Sequence, residues 1–334
     1  MMKSFLLFFY LTLFCTPLFA ADIIKDGFYS EFDAQGRKIR TEEYSHGVPS
    51  GRFRTFYPDG RIMGWGSYLD GKLQGWAEGF YPTGVFRFKS YYVDGQLHGL
   101  STLYYGNGVP KSELNYDRGL LDGLSREYDM HGRPTIEHHF VLGKEQGLEK
   151  EYYPDGQVKR DMQYKDGRQI GLIHEYYENG GLRGRFESLD SKKNGIGREF
   201  YESGHLMRVG NYVDDQLDGV VTTYYKSGKL LSKVNYDHGL LNDPNWREYY
   251  ESGAVHNIAA VINGKQEGKV LQYYPNGQIK TEGTFKDGLR EGIYKIYRVE
   301  GWLWYQETYL HDKLTNRKEF NSLANLVMEQ NFFK

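Results

Sequence analysis

The residues best placed to do chemistry are five glutamates, Glu127, Glu151, Glu175, Glu199 and Glu248. Each is preceded by a basic or imidazole residue, Arg126, Lys150, His174, Arg198 and Arg247. On an extended backbone, neighbours point to opposite faces, so the two sets make ladders of opposite sign on the two sides of a sheet. With one glutamate on every second strand, successive carboxylates stand roughly 9.6 Å apart. Paired carboxylates at such a spacing can do acid-base work on a glycoside. A solvated face with cross-strand ion pairs explains the same pattern without a substrate, and we adopt that reading. Tyr153, Tyr177, Tyr201 and Tyr225 follow two residues after the glutamate position, on the same face. Tyrosine offers contact area at low entropic cost, so Glu151, Tyr153, Glu175, Tyr177, Glu199 and Tyr201 are the candidate partner contacts. Cross-strand stacking alone would also account for the tyrosines.

Other chemistry is absent from the pattern. HEYYE at His174 lacks the second histidine of a zinc helix, and GGLRG at Gly180 lacks the strand-helix context of a dinucleotide loop. His138 and His139 are adjacent, so on one strand they cannot both bind one metal. No catalytic, cofactor or metal residues are assigned.

The elements that carry these ladders follow from a repeat. Glycines at 36, 60, 84, 108, 132, 156, 180, 204, 228, 253, 277 and 301 are separated by ten intervals of 24 residues and one of 25, the extra residue lying in LLNDPNW. Four residues before each glycine stands an aromatic, and eight after it an aromatic returns in ten of the twelve repeats. Most repeats then carry a second turn of the form G-x-x-x-G, as at Gly167 and Gly171. A period of this size signals stacked repeats. Aromatic and β-branched runs bounded by Pro-Asp-Gly and Asp-Gly signal strands joined by tight turns. The expected fold is therefore all-β: an elongated, twisted antiparallel β-meander of about twelve 24-residue hairpin repeats over residues 21–318.

Alternation assigns the faces. Positions eight and four before the glycine, such as Leu148 with Tyr152 and Leu172 with Tyr176, are placed on one buried face with Val158, Met162 and Tyr164 from the returning strand. Glu151, Tyr153, Asp161 and Gln163 fall on the open face. Residues 319–334 form a C-terminal cap, where Ser322 is expected to start a short helix.

The 334 residues include 41 Gly and 30 Tyr, and the formal charge of -2 provides no electrostatic case for nucleic acid. Residues 1–20, MMKSFLLFFYLTLFCTPLFA, pattern as a signal peptide cut near Ala20 or Ala21. The apolar run is short of the ~20 residues a spanning helix needs. Cys15 is the only cysteine, so the mature chain has no disulfide or thiolate site, and a periplasmic or secreted location suits it.

The unit Y-Y-x-[DN]-G-x-[IL], followed by an aromatic and D-G-x-x-x-G, resembles the bacterial variant of the MORN repeat over nearly all of the mature chain. EFDAQGRK and EYDMHGRP are also similar to the tyrosine-aspartate repeats of secreted toxin shells, which lack the second glycine turn. The MORN resemblance implies a repeat scaffold without common catalytic residues or cofactors, related to exported immunity partners of toxins. The function expected is a non-catalytic scaffold that binds a protein partner, a toxin or effector. The alternative is an envelope module that associates with membrane lipid or cell-wall glycan. Export predicts a chain beginning near Ala21, to be checked by N-terminal sequencing of protein recovered from periplasm and medium; an intact Met1 found in cytosol would refute it.

Overall fold

The computed structural model describes residues 26–332. The leader assignment at 1–20 lies outside them. Among the described residues there are 32 strand segments and no helix, and the residues divide into two compact units, one ending at Gly108 and one starting at Val109. Within each unit, the long strands pair antiparallel in sequence order, some of them also holding a two-residue segment of the following turn. In the first, Gly27–Phe32 pairs with Lys38–Ser45, which pairs with Val48–Phe56, which pairs with Ile62–Leu69. In the second, Gly147–Tyr152 pairs with Val158–Lys165, which pairs with Arg168–Tyr176, which pairs with Leu182–Leu189. This is the expected meander of hairpins.

Two turns build each repeat. In the first, the Gly156 amide donates to the Tyr153 carbonyl at 2.9 Å, the Tyr153 amide donates to the Gln157 carbonyl at 2.8 Å, and Gly156 sits at φ +89°. That left-handed conformation is why the position is glycine. The second is a two-residue turn with both central residues at positive φ, Asp166 at +52° and Gly167 at +79°. This is the type I′ geometry whose twist matches a hairpin. The Gly167 amide then donates to the Glu145 carbonyl of the preceding repeat at 2.9 Å, so the tips of successive hairpins are tied together.

The first turn also corrects the face assignment. Tyr152 faces Val158, as expected, but Glu151 faces Arg160, and Lys159 is left without a partner. One unpaired residue shifts every later pairing by one and moves the returning side chains to the other face. Met162 therefore lies opposite Glu149, and Tyr164 opposite Gly147. Tyr152 and Leu148 share their face with Asp161 and Gln163 instead. The buried face carries the glutamate ladder at its margin.

The core of the second unit is a row of directly opposed residues crossing the strands: Glu149, Met162, Ile173, Phe186, Gly197 and Gly210. Met162, Ile173, Phe186 and Tyr212 form its buried cluster, with Tyr164 and Leu217 packed against it. Gly197 lets two rings lie over the sheet: a Cβ there would stand 2.8 Å from Phe186 and closer still to Tyr212. In the first unit, the same row holds small and polar groups, among them Ala77, Ser90 and Ser101, the two serine hydroxyls 2.6 Å apart.

The C-terminal helix expected from Ser322 is not formed. Asn321 to Asn325 instead repeat the first turn, with Ala324 at φ +61° in the place of the glycine, and Leu326–Asn331 returns as a strand against Lys313–Phe320. Asn321 Oδ1 accepts from the Leu323 and Asn325 amides, an Asx turn that outcompetes a Ser322 cap. The corrected faces predict that Ile173→Ala, at a position 2% exposed, lowers stability by about 3 kcal/mol. Leu148→Ala, at a position 45% exposed, should stay within about 0.5 kcal/mol. Urea midpoints of the two variants check this, and comparable losses would contradict the assignment.

Candidate functional site

The six sequence-predicted contacts all have structural partners. Tyr153, Tyr177 and Tyr201 each follow a strand, and their hydroxyls reach across to the next repeat. They donate to the carbonyls of Tyr176, Phe200 and Tyr224 at 2.8, 2.7 and 2.8 Å. The same bond recurs from Tyr225 to Tyr249, Tyr250 to Tyr273 and Tyr274 to Tyr297, and in the first unit from Tyr57 to Phe80 and Tyr81 to Tyr104. These half-buried hydroxyls are therefore occupied within the array.

The glutamates are likewise engaged by cations. Glu151 lies 3.8 Å from both Lys159 and Arg160, Glu175 lies 3.8 Å from Lys193, and Glu199 accepts from Arg208 at 2.5 Å and from the Tyr212 hydroxyl at 3.2 Å. The arrangement is that of the cross-strand ion pairs adopted above.

The opposite, open face carries a surface that sequence reasoning missed. Arg126 faces Glu137, which faces Lys150, then Asp161, His174, Arg185 and Arg198 in order. The signs alternate as far as Asp161, and the contacts are close: Arg126 pairs with Glu137 at 2.7 Å and His174 Nδ1 lies 2.8 Å from Asp161. Tyrosines at the strand ends join in, Tyr152 donating to Glu137 and Tyr176 to Asp161, each at 2.8 Å. Burial and then the accepting carboxylate push both phenols up to about 12. At Arg185 the alternation breaks. Arg185 and Arg198 are directly opposed, both exposed, and neither guanidinium has an ion-pair or hydrogen-bond partner among the described residues.

Two residues along each strand on this face stand Leu124, Leu148, Leu172, Ile196 and Val220. All but Leu172 are exposed, Val220 by 52%. Between them, on the intervening strands, come polar residues: Gln163 opposite Leu148 and Asn211 opposite Ile196. The apolar side chains thus recur on every second strand, about 9.6 Å apart. The sequence signal was available, since all five stand eight residues before a repeat glycine, but the pattern was assigned to the core.

Two groups of side chains could hold a metal among the described residues: His138 with Glu145 and Glu149, and the more exposed Asp218, Asp237 and His238. Burial works against a charge on His138, and the Glu145 and Glu149 carboxylates overcome it, raising the imidazole to about 9.

The family model described as "MORN repeat variant" matches residues 97–118, 145–166, 193–214, 217–238 and 266–287. No curated protein matches the chain. Among solved structures it is similar to "Crystal Structure of TcdB2-TccC3-Cdc42", at 13% identity and a TM-score of 0.17, covering 91% of this chain and 20% of that one. It is also similar to "Crystal Structure of TcdB2-TccC3 without hypervariable C-terminal region", at 13% identity and a TM-score of 0.16, covering 90% and 19%. The chain thus spans about a fifth of the length of these solved chains. The tyrosine bond predicts that Tyr177→Phe lowers stability by about 1 kcal/mol, the net value of one hydrogen bond, while Tyr177→Ala costs more. Urea unfolding followed by tyrosine fluorescence measures both, and an unchanged Tyr177→Phe midpoint would rule the bond out as a support.

Proposed function

Because the chain belongs to the MORN repeat variant family, whose repeats make scaffold and surface, we propose that it is an exported, non-catalytic scaffold that binds a protein partner. The partner we favour is a secreted toxin or effector, which this chain neutralises by covering it, as an immunity protein does. The observation that carries the reading is the open face of the second unit. There Leu124, Leu148, Ile196 and Val220 stand exposed at a regular spacing beside a charge row that ends in the unneutralised Arg185 and Arg198. A surface with apolar anchors and a local excess of cations suits a protein of matching spacing that carries acidic groups. The contacts are thus proposed to lie on the face opposite the glutamate ladder.

A non-catalytic role is supported by the engagement of Glu151, Glu175 and Glu199 with cations. Export rests on the leader-like residues 1–20. Association with anionic lipid ranks behind protein binding because cations at the hairpin tips are matched by the acid of the next tip: Lys192 lies 3.2 Å from Asp214, and Arg290 lies 2.6 Å from Asp312.

The test is a pull-down from envelope extract of the protein's own cells. The triple variant Leu148→Glu, Ile196→Glu and Val220→Glu should lose the captured partner while keeping the parent's melting midpoint to within about 2 °C, as surface changes do. Retention of the partner by this variant would place the contacts elsewhere. Tight binding of the parent chain to anionic vesicles or peptidoglycan, with no protein captured, would favour the envelope-module reading.

A further inference from the structure

The core row of the second unit is interrupted near its start by charged groups. Strand Pro134–Val141 brings His138 to the buried face, and the type I′ turn at Leu142 and Gly143 leads into Lys144–Glu145. After the bend at Gly147, with φ +80°, the chain returns along Gly147–Tyr152 and sets Glu149 on the same face. His138 Nδ1 lies 3.1 Å from Glu145 Oε1 and 3.0 Å from Glu149 Oε2. The Glu149 side chain is about nine-tenths buried, at 9% exposure, and its only charged partner among the described residues is His138.

We propose that His138, Glu145 and Glu149 are a binding site for one divalent transition-metal ion of the zinc class, held by an imidazole nitrogen and two carboxylate oxygens. Two observations carry this. First, Nδ1 is fully buried and makes no well-aligned hydrogen bond, although a Glu145 oxygen and a Glu149 oxygen stand 3.1 and 3.0 Å from it. Three ligand-type atoms gathered about one point without a directed bond between them suit a shared ion. A ligated ion requires this off-axis placement, since the ion sits on the ring axis and the other ligands stand beside it.

Second, the spacing fits. Bonds of about 2.0–2.2 Å in a tetrahedral site put neighbouring ligand atoms roughly 3.4 Å apart, close to the separations found here.

The ion would clamp the two arms of one hairpin across its bend, a staple for a repeat array whose chain beyond Cys15 has no cysteine. The test uses untagged protein stripped with EDTA and desalted, then titrated with zinc chloride by calorimetry and melted with and without zinc. One ion should bind per chain, with a rise in melting midpoint of about 5 °C at saturating zinc. His138→Gln and Glu149→Gln should each weaken binding by about tenfold or more, since a ligand is lost from a three-ligand site, and should abolish the rise. Asp218→Asn, in the other cluster, should leave both unchanged. If a core variant fails to fold, the more open Glu145→Gln carries the same expectation. Absence of binding at millimolar zinc, or binding that follows Asp218 and ignores the three ligands, overturns the site.

Discussion

Most repeats are held in place by a tyrosine hydroxyl that belongs to the one before. The donors from Tyr153 to Tyr274 in the second unit, and Tyr57 and Tyr81 in the first, all end on the carbonyl of an aromatic in the following repeat. A single-layer sheet has no second layer to lock its turns, so an otherwise free carbonyl at the end of a strand is satisfied by a ring that also shields it. At the other end of the hairpin, the turn amide performs the corresponding task, Gly167 donating back to Glu145 and Gly239 back to Leu217. With both ends fixed to neighbours, the strands between them have one register, and the rows of opposed side chains follow from it.

Those rows divide the labour between the two faces. One row gathers Met162, Ile173 and Phe186 over glycines that leave space for rings, with Glu151, Glu175 and Glu199 at its margin paired with nearby bases. The other face is an alternating chain of charges, stable because each acid lies between two bases. Arg185 and Arg198 are the departure from that rule, and a direct opposition of like charges disfavours the sheet itself. Local rules are broken in folded proteins chiefly where something other than folding is served.

The repeat, the two turns and the strand content were legible because glycine at positive φ and the Asp-Gly pair leave a mark at fixed intervals. The faces were not, because one unpaired residue, Lys159 in its repeat, inverts the alternation after the first turn without changing composition or period. The C-terminal turn was hidden for a related reason. Asn321 and Ala324 do the work of Tyr and Gly there, with a spacing of 23 residues instead of 24 from Gly301. The candidate site was legible as residue types and illegible as roles: Tyr153 and Glu151 stood out, but the carbonyl and the cations that engage them lie on other strands. His138 and Glu149 could be brought together only through the corrected pairing.

The bonds between repeats reach no further than the next one, the tyrosine bridge spanning 23 or 24 positions and the tip bond 22 or 23. Within either unit, almost nothing is gained by contacts between distant parts of the chain. Such an array stores its stability as a sum of local terms and couplings between neighbours, and short loops close quickly. Loss of order therefore starts at a terminal repeat and advances inward, so denaturation records a moving boundary between ordered and disordered repeats. How sharp that boundary is depends on the coupling supplied by each tyrosine and tip bond.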